Sequence, residues 1–251
     1  MKKVFALMAI AATVMAVSCK KGGDPTPTPE PGPDPTPTYV QPITIDGDFA
    51  DWAKLPAAQM AIAECPQDAS KTALKLVKVF ADEMFIFVYF EWDKGQITHD
   101  PTPDEYGDPT EAVPFHVYLN GDGLSTTGGF GDQWTDACTD VLMEGFIYPD
   151  GESIGSYEPG LFKWSGEVNG TGWSWEGLGD ISGITAGAGI EGKYELSILR
   201  ELYPLGKIAE EFSIGFDIQQ GWDSVGILAN AAPSEDNPSG VMPSLKVKTQ
   251  K

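Results

Sequence analysis

The chain has 251 residues, with 37 acidic against 16 basic side chains and a formal net charge of −21. This balance argues against nucleic acid as a partner, because phosphate binding requires a basic surface. Since His99 and His116 are the only histidines in the sequence, a histidine-rich metal site is also excluded. Two of the three cysteines, Cys65 and Cys138, could form one disulfide in an oxidising compartment or remain two buried thiols.

Residues 1–18 have the pattern of a signal peptide: two lysines precede the apolar run VFALMAIAATVMAV, which is too short to span a bilayer. The small residues before Cys19 resemble a bacterial lipoprotein signal. That resemblance implies cleavage before Cys19, a lipid on its side chain and attachment to the outer membrane, on the cell surface or the periplasmic face. An ordinary secretory peptide with an incidental cysteine is the alternative.

Residues 19–40 follow as a proline- and threonine-rich stretch, GGDPTPTPEPGPDPTPT at its centre. Such a composition cannot build a core and favours an extended, polyproline-like tether. At its full length the tether would hold the next domain about 60 Å from a lipid anchor. The sequence therefore predicts a single folded domain over 41–251.

Within 41–251 the patterns are those of β-strands. Residues 77–93 (VKVFADEMFIFVYFEWD) predict a hairpin whose second strand, 85–92, is central and buried on both faces. Further short strands follow at regular intervals, bounded by Gly, Pro, Asn and Asp. The segment 198–212 could hold a short helix or a loop turn. We expect an all-β fold, a two-sheet antiparallel β-sandwich of jelly-roll or immunoglobulin type, because helices for parallel crossovers are missing.

Several stretches occur in the order found in one group of modules: ITIDGDFADW (43–52), the hairpin 77–93, FHVYLNGDGLSTTGGFGDQW (115–134), KYELSILREL (193–202) and FSIGFDIQQGW (212–222). Together they resemble family 9-like carbohydrate-binding modules and the related DOMON-like β-sandwiches. The resemblance implies a sandwich that binds carbohydrate through loops and aromatic platforms without catalysis, and it fits a partner role in a glycan-uptake complex.

The opening stretch ITIDGDFADW contains three aspartates, Asp46, Asp48 and Asp51, which suggest either a cation site or turn chemistry. Asp46 begins a turn signal after an alternating strand, and the following residues suit a helix cap. We expect turn chemistry, with Trp52 packed under an edge of the sandwich.

A glycan platform is predicted in VNGTGWSWEG. Asn169 opens a tight turn, so the segments on either side should pair as a hairpin. Trp173 and Trp175 are two positions apart and would face the same side of a strand, flanked by Asn169 and Glu176. Trp164 lies on the partner strand and could join them. The alternative is that these indoles fill the core.

An acidic loop after the strand 115–120 suggests a structural Ca²⁺, because this ion takes carboxylate and carbonyl oxygens. Its predicted ligands are Asn120, Asp122, Asp132 and Asp136. A solvated acidic turn is the alternative. Trp134, in the same loop, could contact ligand or fold back as a plug of the loop.

The sequence contains no paired Ser/His/Asp pattern, nucleophile elbow or phosphate-binding loop. His116 is interpreted as a wall residue of a strand rather than a catalytic group. We therefore expect a non-catalytic glycan-binding lipoprotein. The alternatives are an assembly lipoprotein that docks another protein and, less favoured, a glycoside hydrolase with two carboxylates in a cleft.

Overall fold

A computed structural model describes residues 39–97, 113–130, 134, 138–147, 160–179, 181–190, 192–220, 223–229, 234–235 and 244–251. Two compact units divide the chain, Met1–Val40 and Gln41–Lys251, and the second holds the strands. The predicted signal peptide, Cys19, His99, Asp132 and Asp136 lie outside the described residues. Among the described residues no helix has the length and apolar character needed to cross a bilayer.

The described residues form fourteen strands and three short 3-10 helices. The strands are β1 Ala61–Glu64, β2 Leu74–Ala81, β3 Phe85–Trp92, β4 Val113–Asn120, β5 Val141–Ile147, β6 Leu161–Trp164, β7 Trp175–Gly177, β8 Ile184–Ile190, β9 Lys193–Leu199, β10 Glu201–Leu202, β11 Gly206–Lys207, β12 Glu211–Gln220, β13 Asp223–Leu228 and β14 Leu245–Lys248. The 3-10 helices are Phe49–Lys54, Ala57–Gln59 and Lys94–Gln96.

Two antiparallel sheets contain nearly all of these strands. The five-stranded sheet has the order β1-β2-β3-β9-β8, and the seven-stranded sheet has the order β13-β12-β4-β5-β6-β7, with β14 also paired to β12. The pair β10–β11 forms a small separate hairpin, so the loop-turn alternative for 198–212 is correct and no helix forms there. The predicted all-β, two-sheet antiparallel sandwich is confirmed.

The main core lies between the inner faces of the two sheets, where alternate residues of each strand are buried. Phe90 of β3 stacks on Phe115 of β4 across this interface, with ring centroids 4.8 Å apart. As predicted, β3 is the middle strand of its sheet and is buried on both faces.

The opening stretch closes the outer face of the five-stranded sheet. Trp52 packs with Phe87 in a second cluster on that face, and its Nε1 donates to Glu195 Oε2 at 2.9 Å. The backbone N–H groups of Asp46 and Gly47 donate to the other oxygen of the same carboxylate, at 3.0 and 2.8 Å. The expected turn chemistry and packed tryptophan are therefore confirmed.

The cysteine alternatives are also resolved. Cys65 is half-buried and Cys138 is buried, and the two are not joined in a disulfide.

Candidate functional site

The outer face of the seven-stranded sheet carries most of the residues predicted to bind ligand. Strands β4, β5, β6, β7 and β13 alternate, so the residues that do not enter the main core project from this face. Their aromatic and aliphatic members form what we call the outer aromatic cluster. Its buried members are Tyr118, Phe130, Trp134, Leu142, Trp175 and Ile227, and Phe162 and Trp164 pack against it.

Trp134 is the most deeply buried indole of the outer aromatic cluster, with 1% of its surface exposed. Its ring lies 5.2 Å from that of Tyr118 and directly over Gly215 of β12. A Cβ at position 215 would come within 2.4 Å of the indole, so glycine there leaves the space that the ring needs. Ligand contact by an exposed Trp134 is thus the wrong alternative, because its indole is buried in the outer aromatic cluster.

The predicted hairpin around Asn169 is confirmed, because β6 pairs with β7 and Trp164 lies opposite Trp175. Asn169 has a left-handed backbone with φ 56°, as a tight turn requires. The prediction of two exposed indoles side by side is wrong, however. Trp175 is 9% exposed and packs edge-on against Trp164 at 5.2 Å, because its strand position faces the outer aromatic cluster.

Trp173 is the exposed member of the predicted pair, with 58% of its surface accessible. It precedes β7 rather than lying in it. Its indole makes two edge contacts with rings beneath it, at 6.2 Å to Phe130 and 6.4 Å to Phe162. The structure therefore supports the indole from below and leaves much of it open to solvent.

Glu176 does not flank the two indoles as predicted. Successive residues of a strand face opposite sides, so the side chain of Glu176 lies away from Trp175. It forms an ion pair with Lys163 of β6 at 3.1 Å, and both groups are largely exposed. Glu176 is therefore excluded from the platform by strand alternation.

Trp164 is half-buried and lies between the outer aromatic cluster and a neighbouring cleft of about 250 Å³. Its Nε1 donates to the carbonyl of Glu167 at 2.9 Å, and its ring lies so close to Gly129 and Gly166 that side chains there would collide with it. The described lining of the cleft is Gly121, Asp122, Asp140, Val141, Lys163, Trp164, Leu202, Leu205, Gly206, Lys207 and Ile208.

Asp140 is the most perturbed carboxyl group of this cleft. Burial raises its pKa to about 6, although the N–H of Gly121 donates to its Oδ1 at 2.6 Å and opposes the shift. The nearby charge of Asp122 raises the pKa further.

Two of the four predicted calcium ligands are described, and both serve the turn that follows β4. Asp122 accepts from the N–H of Leu124 at 2.8 Å and from the hydroxyl of Thr127 at 2.8 Å. The amide nitrogen of Asn120 donates to the carbonyl of Leu124 and to Cys138 Sγ. Within the described part of the chain no group of three or more His, Cys, Asp or Glu side chains could hold a metal. Calcium binding stays a prediction.

A buried polar network on the same outer face was missed by sequence reasoning, apart from the wall position of His116. The amide of Gln219 donates to Asp217 Oδ2 at 2.8 Å, and this bond fixes which end of the amide meets His116 Nδ1 at 3.1 Å. Nδ1 is therefore an acceptor, and the proton of the neutral imidazole is on Nε2, 3.4 Å from Glu144 Oε1.

Burial is the cause of the pKa shifts of His116 and Glu144 in this network. It lowers the pKa of His116 to about 4 and raises the pKa of Glu144 to about 7. The pair is consequently a neutral imidazole facing a carboxyl group that titrates near pH 7, rather than a buried salt bridge. Alternating polar residues in FHVYLN and FSIGFDIQQ were the available signal, since they occupy the outward positions of otherwise apolar strands.

Comparisons with known proteins add no argument about the function of this chain. A scan against protein-family models gives no match, and neither does a search of curated proteins. Among solved structures, the chain is similar to a carbohydrate binding module family 9 from Caldicellulosiruptor kristjanssonii in complex with cellotriose. The likeness covers 85% of this chain and 92% of that chain, with a TM-score of 0.38 and 12% identity. At these values we base the functional proposal on this chain's own residues.

Proposed function

We propose that this protein is a non-catalytic glycan-binding lipoprotein whose primary contact with carbohydrate is Trp173. The observation that carries the proposal is the exposed, supported indole: 58% accessible above the edges of Phe130 and Phe162. An indole that is held in place by neighbouring rings and remains exposed offers a ligand a flat apolar face with a polar N–H at its rim.

Sugar is the partner that suits this surface. A pyranose ring presents a flat face of C–H groups that matches an indole, while its hydroxyls remain hydrogen-bonded at the rim. The Asn169 turn stands in the same hairpin loop and offers amide and backbone polar groups. Trp164 lies on the neighbouring strand and packs against the same aromatic cluster, which extends the surface that a longer oligosaccharide could cover.

The proposed setting is the outer membrane, with lipid on Cys19 and the residues up to position 40 acting as tether. A domain held away from a bilayer by such a tether can reach polysaccharide at a crowded surface. We infer that it captures polysaccharide or oligosaccharide for a glycan-uptake complex. A bound Ca²⁺ in the loop after β4 would act structurally and is included in the test below.

The test is tryptophan fluorescence and calorimetric titration against a broad panel of plant and host oligosaccharides, with and without EDTA. We expect Trp173→Ala to abolish binding with little change in melting temperature. Tyr203→Ala is the matched control, since this exposed aromatic residue lies on the β10–β11 turn. It should bind as the native protein does.

Trp175→Ala tests whether Trp175 belongs to the ligand platform or to the core. Because Trp175 is buried, its loss should cost about 3–5 kcal/mol of stability. No response of the native protein to any glycan would refute the proposal and favour the assembly alternative, whereas release of reducing sugar would favour a hydrolase.

A further inference from the structure

The cleft beside Trp164 is a separate site, since neither of the two rings that contact Trp173 lines it. We call it the Asp140 cleft. Its described walls are the turn after β4, the start of β5 with the paired end of β6, and the β10–β11 hairpin. Its volume of about 250 Å³ lies just below the range of about 300–1,000 Å³ for drug-sized ligands, so it suits one small ring rather than an oligomer.

Backbone hydrogen bonds hold the walls of the Asp140 cleft together. The N–H of Ala209 donates to the carbonyl of Gly121 at 2.7 Å, which joins the hairpin side to the turn after β4. The N–H of Trp164 donates to the carbonyl of Asp140 at 2.9 Å, which joins β6 to the start of β5. The buried guanidinium of Arg200 donates to the carbonyl of Ala209 at 2.9 Å. The cleft is therefore preformed, as small-ligand sites usually are.

The side chain of Asp140 supplies an accessible acceptor in this cleft. It is half-buried, and its Oδ1 accepts from the N–H of Gly121 at 2.6 Å. A carboxylate has about four acceptor positions on its two oxygens, so this bond leaves others available. Within the described part of the chain, Asp140 Oδ2 is not one of the side-chain atoms that are buried without a partner, and it therefore remains accessible.

The Asp140 side of the cleft is electronegative. The carboxylate of Asp122 is close enough to raise the pKa of Asp140, and none of the main influences on that pKa is a lysine or an arginine. The oxygens of Asp122 accept from the N–H of Leu124 and the hydroxyl of Thr127, but its charge remains. Two neighbouring carboxylates in a cleft favour a positively charged ligand group.

The rest of the described lining suits the ring of a sugar. Its apolar members, which can cover C–H groups, are Val141, Trp164, Leu202, Leu205 and Ile208. Lys207 is exposed and forms no ion pair with any described residue, so its ammonium can donate to a ligand hydroxyl. Lys163 is already paired with Glu176 at 3.1 Å. The cleft thus combines a negatively charged acceptor, an apolar wall and one available donor.

We propose that the Asp140 cleft binds an amino sugar, whose ammonium group donates to Asp140 Oδ2 and whose ring lies against the apolar lining. An amino sugar carries an ammonium group and several hydroxyls on one small ring, and these are the groups that the lining can pair. A divalent cation would need more oxygen ligands than Asp122 and Asp140 supply. The proposal rests on the proposed glycan binding for its class of ligand, but it involves other residues than Trp173.

The experiment is calorimetric titration of the purified protein at pH 7 with glucosamine, N-acetylglucosamine and glucose. We expect glucosamine to bind at least tenfold more tightly than the other two, because it alone carries a charge for Asp140. Asp140→Asn keeps an acceptor for the N–H of Gly121, and it should abolish this preference. Glu201→Gln is the matched control, since it removes one exposed carboxylate from the same hairpin without lining the cleft. It should change the preference less than twofold.

The pH dependence of binding by the native protein is a test that needs no variant. The amine of glucosamine is largely protonated at both pH 7 and pH 5. Asp140, with a pKa of about 6, changes over that range from about nine-tenths ionised to about one-tenth. Glucosamine should therefore bind about tenfold more weakly at pH 5 than at pH 7, whereas binding of the two uncharged sugars should change less than twofold.

Glucosamine that binds no better than glucose at pH 7 would overturn the proposal, as would a folded Asp140→Asn variant that keeps the preference. If that variant does not fold, the pH titration decides. Nα-acetyl-lysine amide offers an ammonium group without a sugar ring and should bind at least tenfold more weakly than glucosamine. Equal binding of the two would overturn the assignment to a sugar.

Trp173→Ala separates this proposal from the primary function. If that variant loses neutral oligosaccharides and keeps glucosamine, both proposals hold. If no neutral glycan binds the native protein but glucosamine binds through Asp140, the Trp173 platform fails and the Asp140 cleft stands.

Discussion

A single missing side chain determines where one indole of this protein lies. Gly215 of β12 has no Cβ, and the ring of Trp134 occupies the space that a methyl group would need. We predict that Gly215→Ala lowers the free energy of unfolding by about 1–3 kcal/mol, as expected for overpacking, and shifts tryptophan emission to longer wavelength. Urea unfolding followed by fluorescence measures both changes.

Gly121 provides the matched control for this substitution. A Cβ there would meet its neighbours at 3.5 Å or more, so Gly121→Ala should leave stability nearly unchanged. Equal stability of the two alanine variants would show that Trp134 is not confined by position 215.

Glu144 predicts a pH dependence of stability. Its pKa is about 7 in the folded protein and about 4.5 in an unfolded chain, so the folded state binds this proton more tightly. The cost of ionising the buried group is absent below pH 4.5, grows as pH rises and is complete above pH 7. The Glu144→Gln variant has no ionisable group at this position, so its stability does not include that cost.

The free energy of unfolding of Glu144→Gln, minus that of the native protein, should accordingly increase by roughly 2 kcal/mol between pH 4.5 and 7. Denaturant titrations at half-unit pH steps measure the difference. A difference that stays constant from pH 4 to pH 8 would show that Glu144 ionises in the folded protein as freely as in the unfolded chain.

At the scale of elements, the β6–β7 hairpin depends on its turn. Asn169 has φ 56°, a conformation that asparagine tolerates and alanine adopts at a cost of about 1–2 kcal/mol. We predict that Asn169→Ala destabilises the hairpin by that amount, while Asn169→Gly does not. Val168→Ala, at an adjacent exposed position, serves as control. Hydrogen exchange of the β6 and β7 amides reports the change, and equal protection in the alanine and glycine variants would contradict it.

Strands and turns were predictable from the sequence where a short stretch of residues indicates them. Alternation and turn residues identify the β2–β3 hairpin and the Asn169 turn without knowledge of the rest of the chain. The residues that surround an indole, in contrast, are distant from it in the sequence. Trp52 bonds to Glu195, 143 positions away, and Trp175 is buried against Tyr118 of a strand far earlier in the chain. The predicted platform was therefore half wrong although its hairpin was right.

The same reason applies to the groove of about 340 Å³ where β14 pairs with β12. Asn120 belongs to a recognisable acidic loop and was interpreted there as a calcium ligand. Its neighbours in space, Ser213 and Lys246, come from β12 and β14, and no short motif reveals that β12 pairs with both β4 and β14. Sequence patterns predict which residues face outward, and the sheet order decides which of them meet.

For the whole molecule, the proposed lipid anchor makes a direct prediction. Cys19→Ser should move the protein from the membrane fraction to the soluble fraction when it is expressed with its signal peptide, because acyl chains supply the membrane affinity. Cys65→Ser is the matched control and should stay with membranes, since Cys65 is a half-buried residue of the folded unit. Membrane association that survives Cys19→Ser would contradict lipidation at this residue.

If the chain is held from its N-terminal end, the hydrogen bonds to the carboxylate of Glu195 would bear mechanical load. A pull on a captured glycan would be transmitted through the tether to the segment that begins at Gln41, which is attached by the buried side chain of Ile43 and by three N–H bonds to Glu195. Residues 41–60, once released, would span about 65 Å at full extension. Because this segment covers an outer face and no strand of either sheet belongs to it, the load would be absorbed there before the sheets themselves are strained.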